Sequence, residues 1–195
     1  MRRVLKQIGW LWLGAGLLLG IALSGRWPST PLYGVSSDRS ENAVMCTVPL
    51  DQDVEGLFYL DSLTGNLVGV VPSRAMKGNP QASWVRNVNQ DLQAYVATWN
   101  ARLKATAGKG ADKAQMQLPQ NPKYMMVSGA MDFPSRAQYR PGRSLIYVGE
   151  ANTGVVLCYV IPWNSAAHIA NQLFSDALDL WSVNKFADVV VRKDE

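Results

Sequence analysis

The residues that could do chemistry are few and scattered. Asp51, Asp53 and Glu55 stand at positions 1, 3 and 5 of D-Q-D-V-E-G, with Gly56 at position 6, as at the start of a calcium loop. The twelfth position is Ser62, where a bidentate Glu is needed. Strand-like sequence flanks the loop where helices are required, so these acids read as turn residues. His168 is the single histidine, which excludes a His-rich metal site within one chain. Cys46 and Cys158 lie 112 positions apart and form neither a C-x-x-C pair nor a zinc spacing. Residues 108–113, GKGADK, lack the GxxxxGK[ST] spacing of a phosphate-binding loop. Arg136, Arg140 and Arg143 could gather an acidic group, but they read more simply as a solvated loop. No serine has a nucleophile elbow, and the acids that might serve acid–base catalysis, Asp51, Asp53, Asp61 and Glu150, all sit in turn-like sequence. The chemistry thus predicts no catalytic set, no cofactor and no metal.

The remaining signal is geometric. In Gly56–Pro72, GLFYLDSLTGNLVGVVP, two apolar runs flank a D-x-x-T-G turn made by Asp61, Thr64 and Gly65. Asp61 can accept backbone N–H bonds across the turn, and Gly65 can take a positive φ. The pattern returns at Leu145–Pro162 around Thr153 and Gly154, read as a looser copy with one extra residue before the Thr-Gly pair. A fainter third copy covers Ala177–Arg192. The strands of the first hairpin are apolar on both faces, which implies a doubly covered strand or a face used for assembly.

The chain has 195 residues, 48% apolar and 17% charged, enough for a real core. Its net charge is +4, but Arg2, Arg3 and Lys6 precede an apolar run. Taking those three from the 19 basic residues leaves 16 against 15 acidic ones, so the charge does not mark a nucleic-acid binder. Ile8–Gly25 is uncharged and long enough to span a bilayer. Two readings stand: a cleaved signal peptide, or, as we favour, an uncleaved signal anchor over residues 1–27. Trp10 and Trp12 at one end and Trp27 at the other suit the two membrane interfaces, roughly 25 Å of helix apart. Gly16, Gly20 and Ser24 fall on one face at small-xxx-small spacing, which permits helix association. The leading basic residues place the N-terminus in the cytoplasm and the main domain in the periplasm or outside the cell.

Residues 28–42 read as a tether, and residues 43–192 as an extracytoplasmic β-rich domain. Ala43–Leu50 is a strand, with Val44, Cys46 and Val48 on one side and Ala43, Met45 and Thr47 on the other. Ser73–Ser83 reads as a loop. The spacing of Val85, Val88, Leu92, Tyr95, Val96, Trp99 and Leu103 predicts a helix over Val85–Ala105. Thr106–Gln120 reads as a surface loop and Lys123–Ser128 as a strand. Asn164 can cap a short helix reaching Phe174, and Leu178–Trp181 with Ala187–Arg192 reads as a last strand pair.

A leading strand followed by a hairpin, twice over, resembles the blade grammar of quinoprotein-type propellers, which use similar D-x-x-T-G turns. The Trp of those repeats is missing after Gly65 and Gly154, and two or three units cannot close a propeller of four to eight blades. The chain also resembles a family of small uncharacterised bacterial signal-anchored proteins. They share a V-x-G-L-F-Y-L-D-x-x-T-G hairpin, an N-P-K-Y-x-M-V strand and a closing Y-x-x-P-W, here Val54–Gly65, Asn121–Val127 and Tyr159–Trp163. That resemblance implies membrane attachment and no known activity.

The expected fold is mainly β: an N-terminal transmembrane helix, then an antiparallel domain of hairpin repeats with one or two helices packed on it. It should close as a small sandwich or open barrel, or leave edges for other chains. Outside the cytoplasm Cys46 and Cys158 are either a disulfide or two buried free thiols. The expected function is a non-enzymatic structural or assembly subunit. Its partners would be the membrane and further copies or a larger membrane complex, with no nucleic acid. The alternative is an extracytoplasmic ligand-binding or sensory module.

Overall fold

Val54–Asp61 alternates buried and exposed residues without a break, the mark of a strand with one wet face. The computed structural model describes residues 37–107, 115–131 and 141–186. Its strands are β1 (Ser37–Arg39), β2 (Ala43–Asp51), β3 (Val54–Asp61), β4 (Asn66–Pro72), β5 (Pro80–Asn87), β6 (Tyr124–Ala130), β7 (Pro141–Glu150), β8 (Val155–Pro162), β9 (Phe174–Ala177) and β10 (Asp179–Lys185). Two helices, α1 (Val88–Ala107) and α2 (Ser165–Ile169), complete the described residues.

The strands form two sheets, β1-β2-β3-β4-β5-β9 and β10-β8-β7-β6. All pairings are antiparallel except β5 with β9. One face of each sheet supplies a common core. Val44, Phe58, Leu60 and Trp84 come from the first sheet, and Tyr124, Met126, Val148 and Leu157 from the second. Each such side chain, fully buried, contributes about 1.5–3 kcal/mol. The sheets approach most closely where β2 lies against β6 and β7. At the other side the chain passes from β9 in the first sheet to β10 in the second, and Leu178 between them is fully buried. The mainly β architecture is therefore a two-sheet sandwich with few helices.

Several boundaries differ from the sequence reading. The tether ends in a strand, since Ser37–Arg39 pairs with Val44–Cys46. The stretch read as a loop before the helix carries β5, and Val85 lies opposite Val68 in that ladder. The apolar spacing counted Val85 into the helix, but strand pairing claims it. Asn87 makes the switch: it ends β5, and its side-chain oxygen accepts from Gln90 N at 2.9 Å, as an N-cap does. Asn164 does cap a helix, accepting from Ala167 N at 2.9 Å, but the helix stops at Ile169 and Phe174 already belongs to β9. Of the expected last strand pair, Leu178–Trp181 runs into β10, and the second member, Ala187–Arg192, lies outside the described residues. β9 joins β5, and β10 joins β8. The anchor residues Trp10, Trp12, Gly16, Gly20, Ser24 and Trp27 also lie outside them. Among the described residues no helix is long and apolar enough to cross a membrane.

The repeat is stricter than the hairpins suggest. β2-β3-β4-β5 and β6-β7-β8-β10 are two four-stranded meanders in matching register. Ala43 faces Asp61 as Tyr124 faces Glu150, and Leu67 faces Arg86 as Val156 faces Asn184. The supposed extra residue of the second turn is absent: Glu150 takes the place of Asp61. Among the described residues the third copy does not form a hairpin of its own, because β10 is the fourth strand of the second unit.

Candidate functional site

The two turns are built alike. Gly65 N donates to Asp61 O at 2.8 Å, and Gly154 N to Glu150 O at 2.9 Å. Both glycines have positive φ, 73° and 66°, where a side chain is strained. In the first turn Asp61 accepts from Leu63 N, Thr64 N and the Thr64 hydroxyl. The Thr64 hydroxyl, then Leu63 N, hold its carboxyl below the usual range. In the second turn Glu150 is only 1% exposed. It accepts from Lys123 N, Asn152 N and Asn152 Nδ2 on one oxygen, and from Thr153 N and the Thr153 hydroxyl on the other. These carboxylates tie turns together.

The open face of the first sheet carries a band of exposed apolar side chains. Met45, Tyr59, Val68 and Val85 are direct cross-strand neighbours in a row across β2, β3, β4 and β5. They are 40%, 43%, 37% and 52% exposed. Leu57, also exposed, continues the band. The sequence reading of a hairpin apolar on both faces is thus resolved: one face is core and the other meets solvent. A contiguous apolar band of this kind marks an interaction surface more often than a scatter of single side chains does.

Two polar assemblies lie inside. Asp91 on α1 receives Arg86 through two bonds of 2.7 and 2.6 Å and the Tyr159 hydroxyl at 3.0 Å. Burial, then the Asp91 charge, pushes the Tyr159 phenol far up, so it stays a donor. With Tyr124 OH donating to Asn89, this network docks α1 on the second unit and is structural. The second assembly surrounds His168, on the short helix α2. The ring lies against Trp163, centroids 5.1 Å apart, and helps line a pocket of about 290 Å³ with Arg74, Ala75, Ile169 and Asn171. Neither ring nitrogen of His168, nor Oε1 of the buried Gln81 beside it, has a hydrogen-bond partner among the described residues. Burial, then Arg74, holds the imidazole below its ordinary pKa, with Asp51 opposing. Sequence alone could not have found this site, because Arg74 and Gln81 lie more than 80 positions from the Trp163–Asn171 stretch they meet.

The calcium-like acids form a tight hairpin turn. Asp53 has φ 59°, and Asp51 accepts from Gln52 N and Trp163 Nε1. No group of three His, Cys, Asp or Glu residues is placed to hold a metal among the described residues. Of the two cysteine readings, the structure holds free thiols. Cys46 sits in the main core and Cys158 in a separate small cluster with Leu145 and Val160, so the two do not pair. Burial pushes the Cys46 thiol up to about 12. Arg136 and Arg140 lie outside the described residues.

Comparison with protein-family models, with curated proteins and with solved structures finds no match. The likeness to signal-anchored proteins and to propeller blades therefore rests on the sequence motifs.

Proposed function

We propose that this chain is a non-enzymatic, membrane-anchored structural or assembly subunit, presenting its β domain outside the cytoplasm for self-association or partner binding. The observation that supports it is the apolar row Met45–Tyr59–Val68–Val85 on the open face of the first sheet. The test places Tyr59→Lys and Val68→Lys together in the full chain. The chain is extracted gently from its membrane and the complex is weighed. Wild type is expected in a complex of fixed stoichiometry, and the double variant as a free chain that keeps the native circular dichroism spectrum. A wild-type chain that runs as a free monomer refutes the reading. The intact chain mass tests the anchor in the same run: residues 1–24 are retained if it holds, and a chain starting near Gly25 or Arg26 removes it.

One observation favours the second reading, a ligand-binding module. It is the pocket at His168, where buried, unpartnered polar atoms meet an open cleft. A small-molecule thermal-shift screen in which His168→Phe abolishes the response would move the assignment there.

A further inference from the structure

The two meanders do not pack through like faces. Each has one face carrying its turn carboxylate, Asp61 or Glu150, and one face without it. Inside the chain, the face of the first unit without the carboxylate (Val44, Phe58, Leu60) packs on the carboxylate face of the second (Met126, Val148, Leu157). This is a head-to-tail contact, and it leaves one of each kind of face unused. Met45, Tyr59, Val68 and Val85 occupy in the first unit the places that Met126, Val148, Leu157 and Val183 occupy in the second. Those four counterparts are buried or partly buried in the chain's own core. On the outer face of the second unit, Met125 and Val127 are 52% and 49% exposed and Tyr147 is half-buried. They stand in the places of Val44, Cys46 and Phe58. Leu145, Cys158 and Val160 on this face form a separate buried cluster, so the free part is the β6 side.

We infer that the open face of the first sheet is occupied by a second copy of this chain, docked through the β6 side of that copy's second unit. The inference rests on the assembly reading above and names its partner. The chain already contains one contact between these two kinds of face, and the two left over are its counterparts. A heterologous contact of this type closes into a ring or runs on as a filament. Each chain brings two four-stranded units, so a ring of four to eight units takes about two to four chains. Within the chain β2 lies along β6; between copies, β6 of one lies along β2 of the next, which brings Met125 near Met45.

The test uses the full chain, purified alone in detergent, with Met45→Cys and Met125→Cys made as separate variants. The native thiols are buried and stay silent. Mixing the two variants with a short bifunctional maleimide is expected to give crosslinked pairs at least tenfold above either variant alone, and Tyr59→Lys is expected to abolish them. Pairs formed as readily by Met45→Cys alone would mean a face-to-face dimer and overturn the head-to-tail contact. No crosslinks, with a membrane complex of fixed mass containing a different chain, overturns the second copy and leaves the assembly reading standing. A monomer in both settings overturns both.

Discussion

The paired turns supply an internal control for the value of burying a carboxylate. Glu150 and Asp61 hold equivalent places, but Glu150 is almost fully buried and its two oxygens take five N–H and O–H donors. Glu150→Gln keeps the shape and removes the charge. Whichever way the amide turns, its NH2 faces at least two donors that then lack an acceptor. Each buried unsatisfied group costs about 1–3 kcal/mol, and relaxation recovers part of it, so a net loss near 3 kcal/mol follows. In a domain of this size that lowers Tm by roughly 6–12 °C. Asp61→Asn strands Thr64 and Leu63 at the surface, where water replaces the lost bonds, and should move Tm by a small fraction of that. Both variants are melted by circular dichroism in detergent, at a concentration where sizing shows a monomer. Equal losses, or a larger loss for Asp61→Asn, would refute the claim that burial sets the cost.

Gly69→Ala would place a methyl 2.1 Å from the Phe58 ring, whereas Gly149→Ala meets nothing nearer than 3.8 Å. Urea unfolding should show the first losing about 1–3 kcal/mol and the second neutral or slightly gained; matching values would remove the close-contact explanation. His168 has its folded pKa lowered, so the unfolded chain takes up the proton first. Its contribution to stability is full above the unfolded value, about 6.5, and is lost as pH falls through that value toward the folded one. The Tm difference between wild type and His168→Gln should shrink or change sign as pH drops from about 8 to 5; a pH-independent difference would show that His168 does not titrate in that way.

The hairpins were legible because alternation and turn chemistry are local. Asp61, Thr64 and Gly65 announce a turn by type and spacing, and the structure uses them as such. The second turn was misread because Glu150 does the work of an Asp with a longer side chain, so the motif letter changes while the bonds do not. β5 was hidden for another reason. Its residues PQASWVRN have weak alternation, and Val85 fits the helical spacing of the next segment as well as the ladder. The parallel strand β9 is four residues, and its partner lies more than 90 positions away, so nothing nearby in sequence signals it. Glu150 and the His168 pocket needed the fold, since burial decides what each does.

The asymmetry between the two turns also bears on assembly. Within one chain the second turn's carboxylate lies on a covered face and the first turn's on an open one. The bonds that make the turn are shared: the Gly N–H, the Thr hydroxyl and the following backbone N–H are used alike in both. Glu150 adds Lys123 N and the Asn152 amide, and the sheet stacked above it keeps water away. If a second copy covers the first sheet, Asp61 loses its water and comes to resemble Glu150. The destabilisation caused by Asp61→Asn should then grow with protein concentration, while that caused by Glu150→Gln, already paid within the chain, stays constant. A concentration series of melts for the two variants reads this directly, and an Asp61→Asn loss that stays flat while wild type assembles would place the second copy elsewhere on the surface.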